Sequence, residues 1–137
     1  MGDIRNESLG AYTGAGGIVG SSYNNIVYIS NCYNTGNIKA LTPYIHEGAI
    51  QGSYWYNTYK SEIKNTYYKK GSCEFAINGK NIDGIETYEK EDNYLKSEEF
   101  LEKLNEFVKT YNEENKDDST VIKLKNWKTG ENGYPIF

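Results

Sequence analysis

Short runs of apolar and small residues return along the first half of the chain after a nearly fixed interval. Residues 16–20 read Gly-Gly-Ile-Val-Gly and return at 48–52 as Gly-Ala-Ile-Gln-Gly, 32 positions later. Residues 29–33 read Ile-Ser-Asn-Cys-Tyr and return at 63–67 as Ile-Lys-Asn-Thr-Tyr, 34 positions later. A repeat interval of this size is typical of structural units that stack, because a single unit cannot bury its own apolar face.

The composition of the repeated units favours strands over helices. The units are rich in Ile, Val, Tyr, Thr, Asn and Gly, which suit strands and tight turns. Residues 26–31 alternate with a period of two, and Asn-Thr-Gly-Asn at 34–37 is typical of a turn. We therefore predict a mainly β fold: a short right-handed β-solenoid of β-helix-like repeats, closed by a C-terminal cap that contains a helix.

Stacking of the units predicts columns of like residues. Asn31 above Asn65 predicts a short ladder in which one side-chain amide bonds the next. Gly20 and Gly52 occupy matching positions, which predicts a turn with positive φ or a close approach of two backbones. The other predicted columns are Ile4 on Ile38, Ile18 on Ile50, Ile29 on Ile63 and Tyr33 on Tyr67. The residues predicted to build the repeat are Gly17, Ile18, Gly20, Ile29, Asn31, Tyr33, Ile50, Gly52, Ile63, Asn65 and Tyr67.

From about residue 83 the apolar positions change to helical spacing. Ser97 is a good N-cap residue, and Glu98 and Glu99 lie at the positive end of the helix dipole. The pattern predicts an amphipathic helix over about 97–111. Its apolar face would carry Phe100, Leu101, Leu104, Phe107, Val108 and Tyr111.

The rest of the C-terminal region predicts a loop and short strands, with Trp127 as a buried anchor. The predicted loop is 112–120, and the predicted strands are 121–124 and 134–137. A solenoid leaves an open edge after its last unit, so a dissimilar terminal segment is expected there. We therefore assign residues 1–82 to the repeats and 83–137 to the cap.

Length and composition bound the size and the partners of the fold. The 137 residues suit one domain, and an apolar share of 37% allows only a modest core. The 14 tyrosines suit packing surfaces that are partly exposed to solvent, because each ring carries a hydroxyl that needs a hydrogen-bond partner. A net charge of −4 with Arg5 as the only arginine argues against nucleic-acid binding. The sequence has no apolar run long enough to span a membrane and no secretion signal.

Residues suited to catalysis, cofactor binding or metal binding are few, and we predict no such site. His46 is the only histidine, which excludes a zinc peptidase site with two histidines one helical turn apart. Cys32 aligns with Thr66 rather than with Cys73, so the repeat does not pair the two thiols; two free thiols are the simpler interpretation, and a disulfide stays an alternative. A pair of carboxylates for glycan cleavage stays an alternative. The candidates within the repeats are Asp3, Glu7, Glu47, Glu62 and Glu74.

An aromatic insertion in the second unit is the best candidate for ligand binding. Between the two repeated runs, the second unit is two residues longer than the first. The extra length falls at 53–59. Tyr54, Trp55, Tyr56 and Tyr59 would form a platform for sugar rings, because aromatic faces are apolar and their edges are polar. The alternative is that the four side chains pack against a neighbouring unit.

The run Gly-Ile-Val-Gly at 17–20, followed by residues 29–38, resembles the GLUG repeat family. These repeats occur in large bacterial surface proteins, including non-catalytic regions of IgA-cleaving metallopeptidases. Residues 95–100 and 132–136 are similar to the ends of such arrays. The second unit departs from the pattern, with Ala49 for the first glycine and Thr66 for the cysteine. The resemblance implies a β-solenoid at the bacterial surface with a non-catalytic role.

The sequence therefore predicts a non-enzymatic structural or adhesive module of a larger bacterial cell-surface or secreted protein. The alternatives are a carbohydrate-binding module that uses 54–59, or an accessory segment of a surface protease or glycan-degrading enzyme. The expected partners are a glycan, or a host or cell-wall surface, together with upstream repeats, because residues 2–5 match the tail of a unit. The exposed edge of the first unit is expected to be open to self-association. Neither nucleic acid nor membrane insertion is expected.

Overall fold

The computed structural model describes residues 4–6, 13–23, 27–40, 45–55, 62–77 and 85–137. The chain divides into two compact units, Met1–Lys90 and Glu91–Phe137. Parallel strands build the first unit, and the second contains a long helix and a small hairpin. In the described ranges, no helix is long and apolar enough to cross a membrane.

The first unit consists of two similar layers of strands and a third, shorter layer. Layer 1 contains β1 (Ile4–Asn6), β2 (Thr13–Gly16), β3 (Val19–Tyr23) and β4 (Tyr28–Asn34). Layer 2 contains β5 (Ile38–Ala40), β6 (Ile45–Gly48), β7 (Gln51–Trp55) and β8 (Glu62–Lys69). Layer 3 contains the irregular segment 72–77 and residues 85–90, which include β9 (Thr87–Lys90).

Each strand of layer 1 pairs in parallel with its counterpart in layer 2, in small sheets of two or three strands. The first and fourth strands share one sequence offset, as in Ile4 with Ile38, and the second and third share a slightly shorter one, as in Thr13 with Ile45. The predicted columns of Ile4 on Ile38, Ile29 on Ile63 and Tyr33 on Tyr67 are confirmed. Ile18 also lies on Ile50, because its amide donates to the Ile50 carbonyl oxygen at 2.9 Å. The prediction of a mainly β fold is therefore confirmed.

Layer 3 stacks on layer 2 with a shrinking sequence offset, and the sequence did not reveal it. The Ile38 amide donates to the Ser72 carbonyl oxygen, an offset of 34, and the equivalent bond from Ile4 to Asn37 has an offset of 33. The Ile50 amide donates to Ala76, an offset of 26, and Thr66 pairs with Thr87 in β9, an offset of 21. Because β9 pairs with β8, the first compact unit extends to Lys90, beyond the division at 82/83 drawn from the sequence.

The core of the first unit lies between the layers, in two small apolar clusters. The first cluster contains Ala15, Ile38, Ala49 and Cys73. The second contains Ile29, Ile50, Ile63, Ala76 and Ile77. Burying such side chains stabilises the fold by roughly 25 cal/mol per Å² of apolar surface. Stacking therefore supplies the buried apolar area that a single layer lacks.

The two glycines that were expected to match differ in their surroundings. Neither Gly20 nor Gly52 has a positive φ, so the first expectation is wrong. A Cβ on Gly52 would lie 2.4 Å from the Gly20 carbonyl oxygen, so the close approach is real at that position. Among the described residues, a Cβ on Gly20 would meet the Gly14 carbonyl oxygen at 3.4 Å, which is an ordinary van der Waals contact.

The second unit is organised by one helix. A 3-10 turn at Tyr94–Lys96 precedes α1 (Glu98–Glu114), and β10 (Lys128–Thr129) pairs antiparallel with β11 (Pro135–Ile136). The predicted helix is confirmed in its start, because the Ser97 hydroxyl caps the Phe100 amide at 3.1 Å. Its buried face carries Phe100, Leu104 and Val108.

Three expectations for the second unit need correction. Helix α1 runs to Glu114, so the predicted loop starts later than residue 112. The stretch 121–124 is not a strand, because Leu124 is bound by a helix side chain instead of a neighbouring strand. Trp127 is half-buried rather than buried, and its ring lies 4.0 Å from the ring of Phe137, centroid to centroid.

Candidate functional site

The sharpest local feature of the layers is a corner within β4 and β8. Asn31 has φ 51° and Asn65 has φ 49°, and both interrupt otherwise extended strands. Asparagine is among the few non-glycine residues that adopt this left-handed conformation readily. The corner shifts the alternation of side chains by one position, so that Ile29 and Cys32 both pack in the same apolar cluster.

The side chains at this corner form the predicted ladder. The Asn65 amide group donates to the Asn31 side-chain oxygen at 2.8 Å. The Tyr67 hydroxyl donates to the Asn65 side-chain oxygen at 2.5 Å, and the Asn65 backbone amide donates to a Glu86 carboxylate oxygen at 3.2 Å. Asn65 is therefore bound from all three layers at once, which fixes the register of the stack.

A column of tyrosines runs beside the ladder. Tyr33 pairs in register with Tyr67, and Tyr67 pairs with Tyr88. The rings of Tyr67 and Tyr88 are 5.3 Å apart and inclined by 32°. Tyr67 is fully buried, whereas Tyr88 is 41% exposed. The column thus combines a buried packing element with one ring that solvent reaches.

A buried asparagine organises the turn between layers 1 and 2. The Asn34 side chain accepts from the Gly36 amide and donates to the Gly36 carbonyl oxygen, both at 3.0 Å. Gly17 packs on this side chain so closely that a Cβ on Gly17 would lie 2.6 Å from the Asn34 Cγ atom. The turn and the glycine run of layer 1 therefore depend on each other.

The carboxylates of the first unit mostly hold backbone amides. A Glu47 carboxylate oxygen accepts from the Ala40 amide at 2.6 Å, and Glu89 accepts from the Gly71 amide at 3.4 Å. Of the acidic residues considered for glycan cleavage, Glu62 and Glu74 are exposed, whereas Asp3 and Glu7 lie outside the described residues. The structure thus gives Glu47 a structural bond, and the glycan-cleavage alternative stays a prediction.

The thiols of Cys32 and Cys73 are both free. Burial raises the pKa of Cys32 and of Cys73 above the usual value for a thiol. The Cys32 thiol also donates to the Ser30 carbonyl oxygen at 2.9 Å. Because the thiolate is the nucleophile, protonated thiols at neutral pH are poor candidates for covalent catalysis. Within the described ranges, no group of three His, Cys, Asp or Glu side chains is placed to hold a metal ion.

The predicted aromatic platform falls largely beyond the described part of the chain. The backbones of Tyr54 and Trp55 end β7, and Trp55 pairs in register with Tyr23 of β3. Tyr56 and Tyr59 lie outside the described residues. A role for these four residues in ligand binding therefore stays a prediction.

In the second unit, two asparagines of α1 hold an extended segment along the helix. The Asn105 side chain donates to the Trp127 carbonyl oxygen at 3.1 Å and accepts from the Trp127 amide at 2.8 Å. Asn112 binds the backbone of Leu124 in the same way, at 2.9 and 2.8 Å. Seven helical residues span about 10.5 Å and three extended residues about 10 Å, so the two spacings match. The sequence signal for these clamps is the Asn-x₆-Asn spacing on the helix.

A shallow groove of about 730 Å³ runs along the same helix. Its lining includes Glu98, Leu101, Glu102, Glu106, Lys109 and Asn126. Four glutamates and one lysine supply the charged side chains of this lining.

Comparison with protein-family models, with curated proteins and with solved structures found no match to this chain. The function is therefore inferred from the contacts within the chain and from its sequence. The most specific of these contacts join layer 1 to layer 2.

Proposed function

We propose that the first unit is a run of right-handed β-solenoid coils. It would serve as a non-enzymatic structural or adhesive module of a larger bacterial cell-surface or secreted protein. The observation that carries the proposal is the in-register stacking of layer 1 on layer 2, with the same sequence offset at β1/β5 and at β4/β8. The surface location rests on the resemblance to the GLUG repeats.

The polar side chains at the layer contacts support a load-bearing role. Asn65 bonds to Asn31 above it, and the Thr66 hydroxyl donates to the Glu86 carbonyl oxygen of layer 3 at 3.0 Å. Fully bonded polar networks of this kind specify one register, because any slip would leave buried groups unbonded. A spacer that must keep a fixed length needs such a register.

Mechanical unfolding of the full chain, pulled through its two ends in a single-molecule experiment, tests this proposal. We expect force peaks as layers detach, each lengthening the chain by up to about 120 Å for a layer such as 4–37, at roughly 3.5 Å per residue. An Asn65→Ala variant should unfold at lower force, whereas Lys64→Ala, an exposed neighbour on the same strand, should not. Extension without any force peak in the first unit would contradict a load-bearing stack.

A carbohydrate-binding function is the second proposal, and one observation favours it. The register of β3 and β7 pairs Trp55, a residue of the predicted platform, with Tyr23 on the neighbouring strand, so two aromatic residues hold paired strand positions there. A glycan array with the full chain tests it, with a Trp55→Ala/Tyr56→Ala variant as the control. Binding that the variant loses would support a lectin-like site. Equal binding by both proteins would place the site elsewhere.

A further inference from the structure

The groove along α1 has the dimensions of an extended peptide. Its lining reaches from Glu98 to Glu113, which is about 22 Å along the helix axis and equals about seven extended residues. Leu101 and Val108 give the groove an apolar part, and the exposed Asn126 lines it from outside the helix. The groove therefore combines apolar contact area with polar side chains along one continuous track.

Carboxylates stand in a regular row along this groove. Glu98, Glu102 and Glu106 follow one another at intervals of one helical turn, and all three are exposed. Among the described residues, these three form no ion pair, whereas Glu113 pairs with Lys116 at 2.8 Å. Like charges one turn apart on a helix repel each other. Cations bound along the row would therefore relieve a repulsion that the free protein retains.

The same helix already binds an extended chain through side chains of this groove. Asn105 and Asn112 belong to the lining, and they hold the backbone of the extended segment 121–127 by paired hydrogen bonds. The segment carries Lys123, whose Nζ donates to the Asn115 carbonyl oxygen just after the helix. Recognition of a lysine-bearing extended chain is thus a property that α1 shows within this protein.

We propose that the groove binds an extended segment of a partner protein that carries lysines at alternate positions. Residues four apart on a helix are separated by about 6 Å along its axis, and alternate residues of an extended chain by about 6.6 Å. Three alternating lysines would therefore meet Glu98, Glu102 and Glu106 in turn. The inference goes beyond the proposed β-solenoid and does not depend on it, because every residue of the groove belongs to the second unit.

A second copy of this chain is the alternative occupant, because residues 123–125 themselves read Lys-Leu-Lys. In each copy, however, Asn112 of the same chain holds the backbone of Leu124 at 2.9 and 2.8 Å. Entry of this stretch into the groove of another copy would break both bonds. A segment of a different protein meets the carboxylates without that cost.

Fluorescence anisotropy with the full chain and two labelled heptapeptides tests the inference. The probe is Ala-Lys-Thr-Lys-Thr-Lys-Ala, and the comparison peptide, Ala-Thr-Lys-Lys-Lys-Thr-Ala, has the same composition with its lysines adjacent. We expect the probe to bind at least about 5-fold more tightly than the comparison peptide. A Glu102→Gln/Glu106→Gln variant should lose about 5-fold or more of the probe affinity, and it should melt no lower than the parent chain, since it removes a repulsion.

A Glu114→Gln/Glu131→Gln variant is the matched control, because it changes the net charge equally at two exposed positions outside the groove lining. It should bind the probe within about 2-fold of the parent chain. Equal binding of both peptides, or equal losses in both variants, would reduce the effect to net charge and overturn the inference. The absence of binding would overturn it too. A dimer in sedimentation that the Glu102→Gln/Glu106→Gln variant abolishes would assign the groove to a second copy and overturn the choice of occupant.

Discussion

Asn65 donates a side-chain hydrogen bond to Asn31 across the layers, and both residues hold the left-handed backbone conformation. The two properties need each other at this corner. Glycine would provide the conformation without the hydrogen bond, and glutamine would provide an amide without the tolerance of positive φ. Asparagine is the residue type that supplies both, which explains why it stands at equivalent positions of β4 and β8.

Replacing Asn65 separates these two contributions. Asn65→Ala removes the bonds to Asn31 and Tyr67 and leaves a Cβ-bearing residue at φ 49° without its amide, so we expect a loss of about 2–3 kcal/mol. Asn65→Gly removes the bonds but relieves the backbone, and it should lose about 1 kcal/mol less. Urea unfolding of both variants measures the difference. Equal losses would mean that the conformation carries no strain.

Close packing at Gly17 should make it intolerant of even one methyl group. A Cβ there would lie 2.1 Å from the Ala49 carbonyl oxygen, so Gly17→Ala must move the backbone of two layers, and we expect a loss above about 3 kcal/mol. Gly71→Ala is the matched control, since it has positive φ but no atom within 4 Å of the new Cβ among the described residues. The control should lose only about 1 kcal/mol by thermal unfolding. The prediction fails if the two variants are equally stable.

The clamp by Asn112 should govern the local stability of the segment that it binds. Asn112→Ala removes both side-chain bonds to Leu124, and we expect the Leu124 amide to exchange with solvent about 10-fold faster or more, as loss of roughly 1–2 kcal/mol implies. The Trp127 amide, held by Asn105, should change less. Hydrogen exchange read by NMR distinguishes the two sites. Asn126→Ala, at an exposed position, serves as the control.

Stability should decline in alkaline solution because of the thiols. Burial raises the pKa of Cys32 and Cys73, so the folded state keeps protons that the unfolded state releases. The free energy of unfolding should thus be level below the unfolded thiol pKa of about 8.5 and fall as pH rises from there towards the folded pKa values. Urea unfolding at pH 7.5 and 9.5 under reducing conditions checks the sign. A Cys32→Ala/Cys73→Ala variant should show a smaller fall, and an unchanged fall would refute the assignment.

Internal similarity predicted the layer contacts well, for a physical reason. A residue and its copy face each other when units stack in register, so Ile29 with Ile63 and Asn31 with Asn65 could be paired without any structure. The start of α1 could also be predicted, because the N-cap Ser97 and the spacing of the apolar residues are local features of the sequence. The left-handed backbone of the two asparagines was missed, because a ladder of amides is compatible with a straight strand as well.

Contacts between unlike residues could not be predicted from the repeat. The amides of Ile38 and Ile50 donate to the carbonyl oxygens of Ser72 and Ala76, and neither pair shares a residue type. The stretch 121–124 has the composition of a strand, but the backbone of Leu124 is hydrogen-bonded to the side chain of Asn112. Strand propensity cannot predict such a bond, because it depends only on residue type. The candidate aromatic platform at 54–59 stays a prediction, because the side chains that would form it lie beyond the described part of the chain.

The shrinking offset of layer 3 gives the first unit a polarity. Thr66 and its partner Thr87 are 21 positions apart, whereas Cys32 and its partner Thr66 are 34 positions apart. The opposite face keeps full-length strands and the complete pattern of glycine and asparagine. Within the described residues, layer 3 contributes one named strand and layer 1 contributes four, so the two ends of the stack are not equivalent as surfaces for further parallel pairing.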